Sequence, residues 1–183
     1  LTKRYPSGTW PRRHAMRLLI QYLEPGPYLT TLSPREAAGR LREALCRLPL
    51  EAVLLGWDLP EALVEACARE TAQASVPLYL WHPLLTAQGA PSGWEGWRVR
   101  AADGSPVPGH ASLPEFTFLC PNHPEARDFV AARLRRSLAD ARYAGAFLDR
   151  IRWPSPSAGL EGHLGCFCWH CAQAAREARI DLA

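Results

Sequence analysis

Four cysteines have the residue type and the spacing of a metal site. Cys120 lies in Phe-Leu-Cys-Pro-Asn-His, and Cys166, Cys168 and Cys171 follow together in one Cys-x-Cys-x-x-Cys segment. Zinc in structural sites takes four tetrahedral ligands, commonly thiolates, and this clustering favours metal binding over a disulfide framework. The spacing therefore predicts a closed, structural Zn²⁺ site, with reduced thiols that hold no metal as the alternative.

One acid lies between these thiols in the sequence. Asp149 ends the apolar run Gly145–Asp149, which is typical of a buried strand. Enzymes built from strand-helix repeats place their chemistry at the carboxyl ends of the strands. Asp149 is therefore the predicted catalytic residue, at the rim of an active site.

Three histidines and two further cysteines are not expected to bind the metal. His123, His163 and His170 lie near the four thiols in the sequence and could substitute for one of them. Four thiols already complete a tetrahedral site, so we expect these histidines to be surface loop residues. Cys46 and Cys67 fall in predicted helices, on or near apolar faces, and are expected to be small buried hydrophobic residues.

Short apolar runs alternate with amphipathic helices along the chain. Predicted strands cover residues 16–23, 52–57, 76–81 and 145–149, and helices begin near residues 33, 58, 122 and 169. Apolar runs of this kind are expected in a parallel sheet covered on both faces. The predicted fold class is α/β, with parallel strand-helix repeats forming a partial (β/α)8 (TIM) barrel of about four units. A small open sheet is the alternative.

Helix starts are marked by capping residues. Ser33 and Glu36 form one predicted capping box, and Asp58 with Glu61 and Asn122 with Glu125 repeat the pattern. Asp58 is therefore interpreted as a helix N-cap rather than as a site residue. The first helix is predicted to turn Ala38, Leu41, Leu45 and Leu48 inward. The third is predicted to turn Val130, Leu134 and Leu138 inward and Arg133 outward.

The predicted domain organisation is simple. Residues 1–14 are polar and rich in Pro and Gly, as in an arm or linker, and residues 15–183 form the partial barrel domain. Residues 82–115 interrupt the repeats as a long inserted loop, and loops of this length in compact domains are usually functional. Asp103 and Gly104 predict a hairpin turn within it.

Composition excludes several classes of protein. The chain has 183 residues and a modest formal charge of +3, and its arginines lie mostly on predicted helix faces. A nucleic-acid partner is therefore not expected on sequence grounds, and a zinc-dependent nucleic-acid binder is kept as an alternative hypothesis. There is no apolar run long enough to cross a membrane. No signal peptide begins the sequence, and a cytoplasmic location is expected.

The cysteine pattern and its surroundings resemble the catalytic barrel of family 42 glycoside hydrolases, the zinc-containing β-galactosidases. Similar segments are Leu119-Cys-Pro-Asn-His-Pro-Glu-Ala-Arg127, the Cys166–Cys171 knuckle and the hairpin turn at Asp103-Gly104, within residues 78–178. The resemblance implies a TIM-barrel domain, a structural zinc site, a carbohydrate substrate and hydrolysis of glycosidic bonds.

The sequence departs from that family at the expected acid. The family's fourth strand ends in Asp-Asn-Glu, and that Glu is its general acid/base, whereas this chain has Leu148-Asp149-Arg150-Ile151-Arg152. The family's nucleophile lies on a seventh strand, which this sequence does not predict, and retaining hydrolysis needs two carboxylates. A non-catalytic, zinc-stapled module that binds carbohydrate or protein is therefore the alternative function. The remaining barrel strands are expected from a missing C-terminal half or from a homo-oligomer.

Within the resemblance, Asp149 is an acid/base or an acceptor of sugar hydroxyls, and a salt bridge or a loop cap is the alternative. Candidate substrate-binding residues are Trp57, His82, Arg150, Arg152 and Trp153. Sugars stack on tryptophan faces, while packing, backbone hydrogen bonds and structural ion pairs are the competing roles. If the fourth strand continued, Arg150 and Arg152 would point away from Asp149.

Overall fold

The computed structural model describes residues 17–109, 113–153 and 165–180. Its strands are β1 (Leu18–Tyr22), β2 (Leu50–Leu55), β3 (Leu78–Pro83) and β4 (Gly145–Asp149). Its helices are α1 (Pro34–Arg47), α2 (Glu61–Gln73), α3 (Pro124–Leu138) and α4 (Trp169–Glu177). The strands form one parallel sheet in the order β1-β2-β3-β4, so the predicted α/β class with strand-helix alternation is confirmed. The barrel stays a prediction.

The main core lies between one face of the sheet and helices α1 and α2. Val53 and Leu55 of β2 are fully buried there against Leu41 of α1 and against Leu63 and Cys67 of α2. Each fully buried side chain of this size contributes about 1.5–3 kcal/mol of transfer free energy. Short connections and parallel pairing place the carboxyl ends of β1, β2 and β3 at one edge of the sheet.

Helix α1 begins as predicted, and the other two predicted capping boxes are wrong. The Ser33 hydroxyl accepts a hydrogen bond from the backbone amide of Glu36, and the Glu36 carboxylate accepts one from the backbone amide of Ser33. Helix α2 begins after Pro60 with no side-chain cap, and Asp58 instead has a left-handed backbone, with φ of 49°, and accepts a hydrogen bond from Gln88. Helix α3 also lacks a side-chain cap.

Several predicted helix faces need correction. Leu48 and Leu138 are exposed rather than buried; Leu48 is the C-cap that follows α1, and Leu138 is the last residue of α3. Cys67 is buried as predicted, whereas Cys46 is exposed. Arg133 points inward rather than outward, and its guanidinium donates to the carbonyl oxygens of Pro83, Leu84, Thr86 and Gln88. It therefore holds the loop that leaves β3.

The long segment between β3 and α3 forms a small antiparallel layer. The predicted hairpin is present, because Ala101 donates to Ser105, Val107 donates to Val99, and Gly104 at the turn has φ of 81°. The hairpin pairs with the segment that leads into α3: the amide of Val99 donates to the carbonyl of Phe118 at 3.1 Å. This layer supports the four thiols. No helix among the described residues has the length and apolar character needed to cross a bilayer.

Candidate functional site

The four predicted metal ligands meet at one buried point. The sulfur atoms of Cys120, Cys166, Cys168 and Cys171 all lie within 4.8 Å of one another. The Cys120 sulfur is 3.5 Å from that of Cys168 and 3.4 Å from that of Cys171. A tetrahedral thiolate site with metal–sulfur bonds near 2.3 Å has sulfur–sulfur edges of about 3.8 Å. The cluster therefore has the size and the donor atoms to hold a metal ion.

The hairpin positions two of the thiols through backbone hydrogen bonds. The amide of Cys120 donates to the carbonyl of Trp97 at 2.7 Å. The backbone amide of Arg100 donates a hydrogen bond to the sulfur of Cys166 at 3.4 Å. The carbonyl of Arg100 accepts a hydrogen bond from the amide of Phe167. Amides that point at sulfur stabilise thiolates, which are the form that binds metals.

The other two thiols lie at the start of α4. Cys168 occupies the N-cap position and Cys171 lies in the first turn, where the partial positive charge of a helix N-terminus favours thiolates. The side-chain amide of Asn122 lies 3.3 Å from the Cys171 sulfur as a donor. Sequence reasoning assigned Asn122 to a capping box and missed this role. Its position two residues after Cys120 was the available signal.

Hydrogen bonds among the thiols separate their pKa values. The pKa of Cys166 falls to about 5, chiefly because Cys120 shares a proton with it and also because backbone amides of Arg100 and Cys168 donate to it. The same bond to Cys166, together with burial, raises the pKa of Cys120. Burial raises the pKa of Cys171 to about 11. A metal ion would replace the shared protons, since every ligand thiol must be deprotonated.

Two of the nearby histidines pack beside the cluster and are not part of it. The rings of His123 and His170 lie 4.4 Å apart by centroid, and Trp169 packs on His170. The pKa of His123 is lowered by burial and then by His170. His163 lies outside the described residues. The metal-ligand geometry within the described part of the chain involves the four thiols alone.

Asp149 lies at the carboxyl end of β4 with its carboxylate fixed by two donors. The indole nitrogen of Trp81 donates to Oδ2 at 3.0 Å, and the amide of Arg150 donates to Oδ1 at 2.6 Å. Trp81 in turn packs edge-on against Trp57, with ring centroids 5.2 Å apart. The acid is therefore held in one orientation by Trp81 of β3 and by the backbone amide of Arg150.

Strand β4 ends at Asp149, as predicted, so the alternation considered for a longer strand does not apply to Arg150. Its φ of 53° ends β4, so its side chain turns back toward Asp149 instead of alternating away from it. The guanidinium is buried, with a side chain 5 % exposed, between the ring of Trp57 at 4.9 Å and the ring of Phe116 at 4.4 Å. Cation–π contacts at such desolvated sites contribute about 2 kcal/mol. Left-handed non-glycine residues are concentrated at functional sites.

A second acid reaches the same guanidinium from the opposite edge of the sheet. Glu24 follows β1, and its Oε1 lies 3.7 Å from Arg150, while Oδ2 of Asp149 lies 3.6 Å from the same group. Leu23, with φ of 57°, turns the chain at this point. Glu24 follows the first predicted strand and carried no predicted role. Its contact with Arg150 depends on the left-handed turns at Leu23 and Arg150, which no sequence motif marks.

The other sequence-predicted site residues lie in three different places. Trp57 is 4 % exposed, and Arg150 and Trp81 cover it, so it supports the acid rather than offering a face for stacking. The guanidinium of Arg152 lies over the ring of Phe118 at 5.4 Å. Trp153 is 38 % exposed and can contact a ligand.

His82 lies away from Asp149. Trp81 faces Asp149, so the next residue along β3 faces the helices. There His82 lines a cavity of about 210 Å³ together with Asp58 and Arg133. Burial and then the charge of Arg133 lower the pKa of His82 to about 4. The structure thus brings Trp57, Arg150 and Asp149 together and separates His82 from them.

Comparison with known proteins supports the fold and no more. No model of a protein family matches the chain, and no curated protein sequence matches it. The structure is similar to the crystal structure of a hypothetical protein from Ruminiclostridium thermocellum ATCC 27405, with a TM-score of 0.51 and 12% identity. The match covers 79% of this chain and 84% of that one. At this identity the likeness shows a shared fold alone.

Proposed function

We propose that the protein is a carbohydrate-active, glycoside-hydrolase-like domain whose ligand site is the carboxyl end of the sheet. The observation that carries this proposal is Asp149, held at the end of β4 by the indole of Trp81 and beside the buried guanidinium of Arg150. Strand ends of this kind are where barrel enzymes bind substrate. The resemblance of the cysteine segments to family 42 glycoside hydrolases supplies the reaction class, hydrolysis of glycosidic bonds.

The second candidate is a non-catalytic module that binds carbohydrate or protein. One observation favours it: both oxygens of the Asp149 carboxylate already accept hydrogen bonds, from Trp81 and from the amide of Arg150. Such a carboxylate is well placed to accept a ligand hydroxyl and poorly placed to give up a proton as a general acid. The two candidates share one site and differ in turnover.

We propose Zn²⁺ as the metal of the thiol cluster. Four thiolates with no open position fit the tetrahedral preference of zinc and a structural role. The site fastens the segment that ends at Cys120 to the start of α4. Metal analysis of the purified protein should give about one equivalent of zinc, and a stoichiometry near zero after purification without chelators would contradict the assignment.

We propose that the four strands are part of a (β/α)8 barrel whose other strands come from a second copy or from further chain. Leu19 on β1 and Phe147 on β4 support this, because they lie on the sheet face away from α1 and α2 and are 48% and 42% exposed. Light scattering of the protein in solution measures whether a second copy is present.

Aryl glycosides distinguish the two functions. The hydrolase predicts release of nitrophenol from at least one 4-nitrophenyl glycoside, with loss of that release in Asp149→Asn. The binding module predicts no release by the wild-type protein but a change in tryptophan fluorescence when glycosides are added. A wild-type protein that neither hydrolyses nor binds any glycoside would remove both carbohydrate proposals.

A further inference from the structure

We propose that Glu24, Arg150 and Asp149 form a subsite for a vicinal diol of a sugar ring. This acid–guanidinium–acid group is defined by these three residues, and the proposal rests on the carbohydrate function argued above. It assigns a ligand role to Glu24, and it specifies the chemical group that the strand ends recognise.

The guanidinium is the centre of the argument. Its side chain is 5 % exposed, and within the described residues Nη1 has no hydrogen-bond acceptor. The nearest carboxylate oxygen to Nη1 is Oδ2 of Asp149 at 3.6 Å, which is longer than a hydrogen bond. Buried polar atoms in native proteins almost always have a partner, so an unsatisfied cationic nitrogen indicates a missing acceptor.

The two acids flank this cation at matching distances. Oδ2 of Asp149 lies 3.6 Å from Nη1, and Oε1 of Glu24 lies 3.7 Å from Nη2. A hydroxyl group both donates and accepts, so one hydroxyl can accept from Nη1 and donate to Asp149. A neighbouring hydroxyl can accept from Nη2 and donate to Glu24 in the same way. Two adjacent hydroxyls, as on a sugar ring, fit this pattern.

The backbone fixes the geometry of the group from both edges of the sheet. In a flat sheet the edge strands of four lie about 14 Å apart, so only long side chains can meet over the ends of β2 and β3. The left-handed turns at Leu23 and Arg150 aim Glu24 and the guanidinium at each other. Trp57 and Phe116 then hold the guanidinium plane. A preformed group of this kind loses little freedom when a ligand binds.

Tryptophan fluorescence provides the test, because Trp57 and Trp81 contact Arg150 and Asp149 directly. The full chain is titrated with methyl β-galactoside, methyl β-glucoside and methyl α-mannoside. We expect at least one to bind, and Glu24→Gln to weaken that glycoside by about 10-fold or more, as for loss of a hydrogen bond to a charged group. Glu51→Gln is the matched control, because Glu51 is an exposed carboxylate of the same sheet that pairs with Arg17. It should change affinity by less than about twofold.

A ligand-side comparison keeps the test independent of variant folding. Deoxy analogues of the glycoside that binds each lack one hydroxyl of the diol and should bind the wild type more weakly. For the analogue that lacks the hydroxyl facing Glu24, Glu24→Gln should cause no further loss of affinity. If a glycoside binds or is hydrolysed and Glu24→Gln matches the wild type, the diol subsite is wrong while the proposed function stands. If the wild type binds and hydrolyses no glycoside, both are wrong.

Discussion

The ring of Phe116 lies 4.4 Å from the guanidinium carbon of Arg150, and this contact connects the thiol cluster to the strand-end acid. Phe116 begins the segment that runs through Phe118 to Cys120, and Phe118 in turn packs on Arg152. Cys120 anchors one end of this segment in the thiol cluster, so the cluster is connected through packed side chains to Asp149. The candidate metal centre and the candidate ligand site are therefore neighbours in one framework.

Loss of one thiol of the cluster should consequently disturb the surroundings of Asp149. If the cluster holds the proposed Zn²⁺, we expect Cys168→Ser to lower the free energy of unfolding by several kcal/mol, since the variant removes one of the four thiolates that would bind it. We also expect altered fluorescence of Trp57 and Trp81, because Phe116 would no longer be held against the guanidinium of Arg150. Thermal unfolding and emission spectra measure both effects. Cys46→Ser, at an exposed thiol outside the cluster, should change neither.

Gly56 should tolerate no side chain. A Cβ at this position would lie 1.9 Å from the carbonyl oxygen of Leu23. The amide of Gly56 also donates a hydrogen bond to the carbonyl of Tyr22, which holds the two segments together. We expect Gly56→Ala to cost about 3 kcal/mol or more, because backbone must move, and to displace Glu24. Gly39→Ala is the control, since a Cβ there meets nothing within 4 Å in helix α1. It should stabilise the protein by about 0.5–1 kcal/mol in urea unfolding.

Among the arginines of the described residues, truncation of Arg133 should lower the free energy of unfolding most. Its guanidinium donates to four carbonyl oxygens of the loop after β3, so truncation leaves several buried acceptors unsatisfied. We expect Arg133→Ala to lower the free energy of unfolding by about 3 kcal/mol, and Arg135→Ala on the exposed side of α3 to lower it by less than about 0.5 kcal/mol. Equal effects in chemical denaturation would show that the loop needs no such support.

The sequence was sufficient to predict the strands and helices and the clustering of the four candidate ligand cysteines, because these depend on local patterns. Apolar runs predicted four strands, and the spacing of Cys166, Cys168 and Cys171 predicted the cluster that the structure forms. The acid site was less predictable. Asp58 carried a strong capping signal, yet its left-handed backbone removes it from the helix start. Such tertiary choices override local propensity and leave no pattern to detect.

The neighbours of Asp149 show the same limit. The direction of Arg150 depended on whether β4 continued past Asp149, and the positive φ of Arg150 ends the strand there. Glu24 and Arg150 come from opposite edges of the sheet, so only the assembled sheet brings their side chains together. His82 lies at a strand end as expected, but strand alternation turns it toward the helices and away from Asp149.

His82 should make the fold less stable in mild acid. Its pKa in the fold falls to about 4, because it is buried and faces Arg133, whereas an unfolded histidine titrates near 6.5. The unfolded state therefore takes up a proton first as the pH falls. This contribution to stability is fully present above about pH 6.5 and is lost progressively toward pH 4. Integrated over that window, the loss is about 3 kcal/mol.

Urea unfolding of the wild type and of His82→Gln at pH 7.0, 5.5 and 4.5 isolates this contribution. Carboxylates and thiols titrate in both proteins, so the difference between them reports His82. We expect the wild type to lose more stability than the variant between pH 7.0 and 4.5, with most of the difference appearing below pH 6. Parallel pH dependences in the two proteins would mean that His82 is protonated in the fold, and that the cavity beside Arg133 admits enough water to solvate the charge.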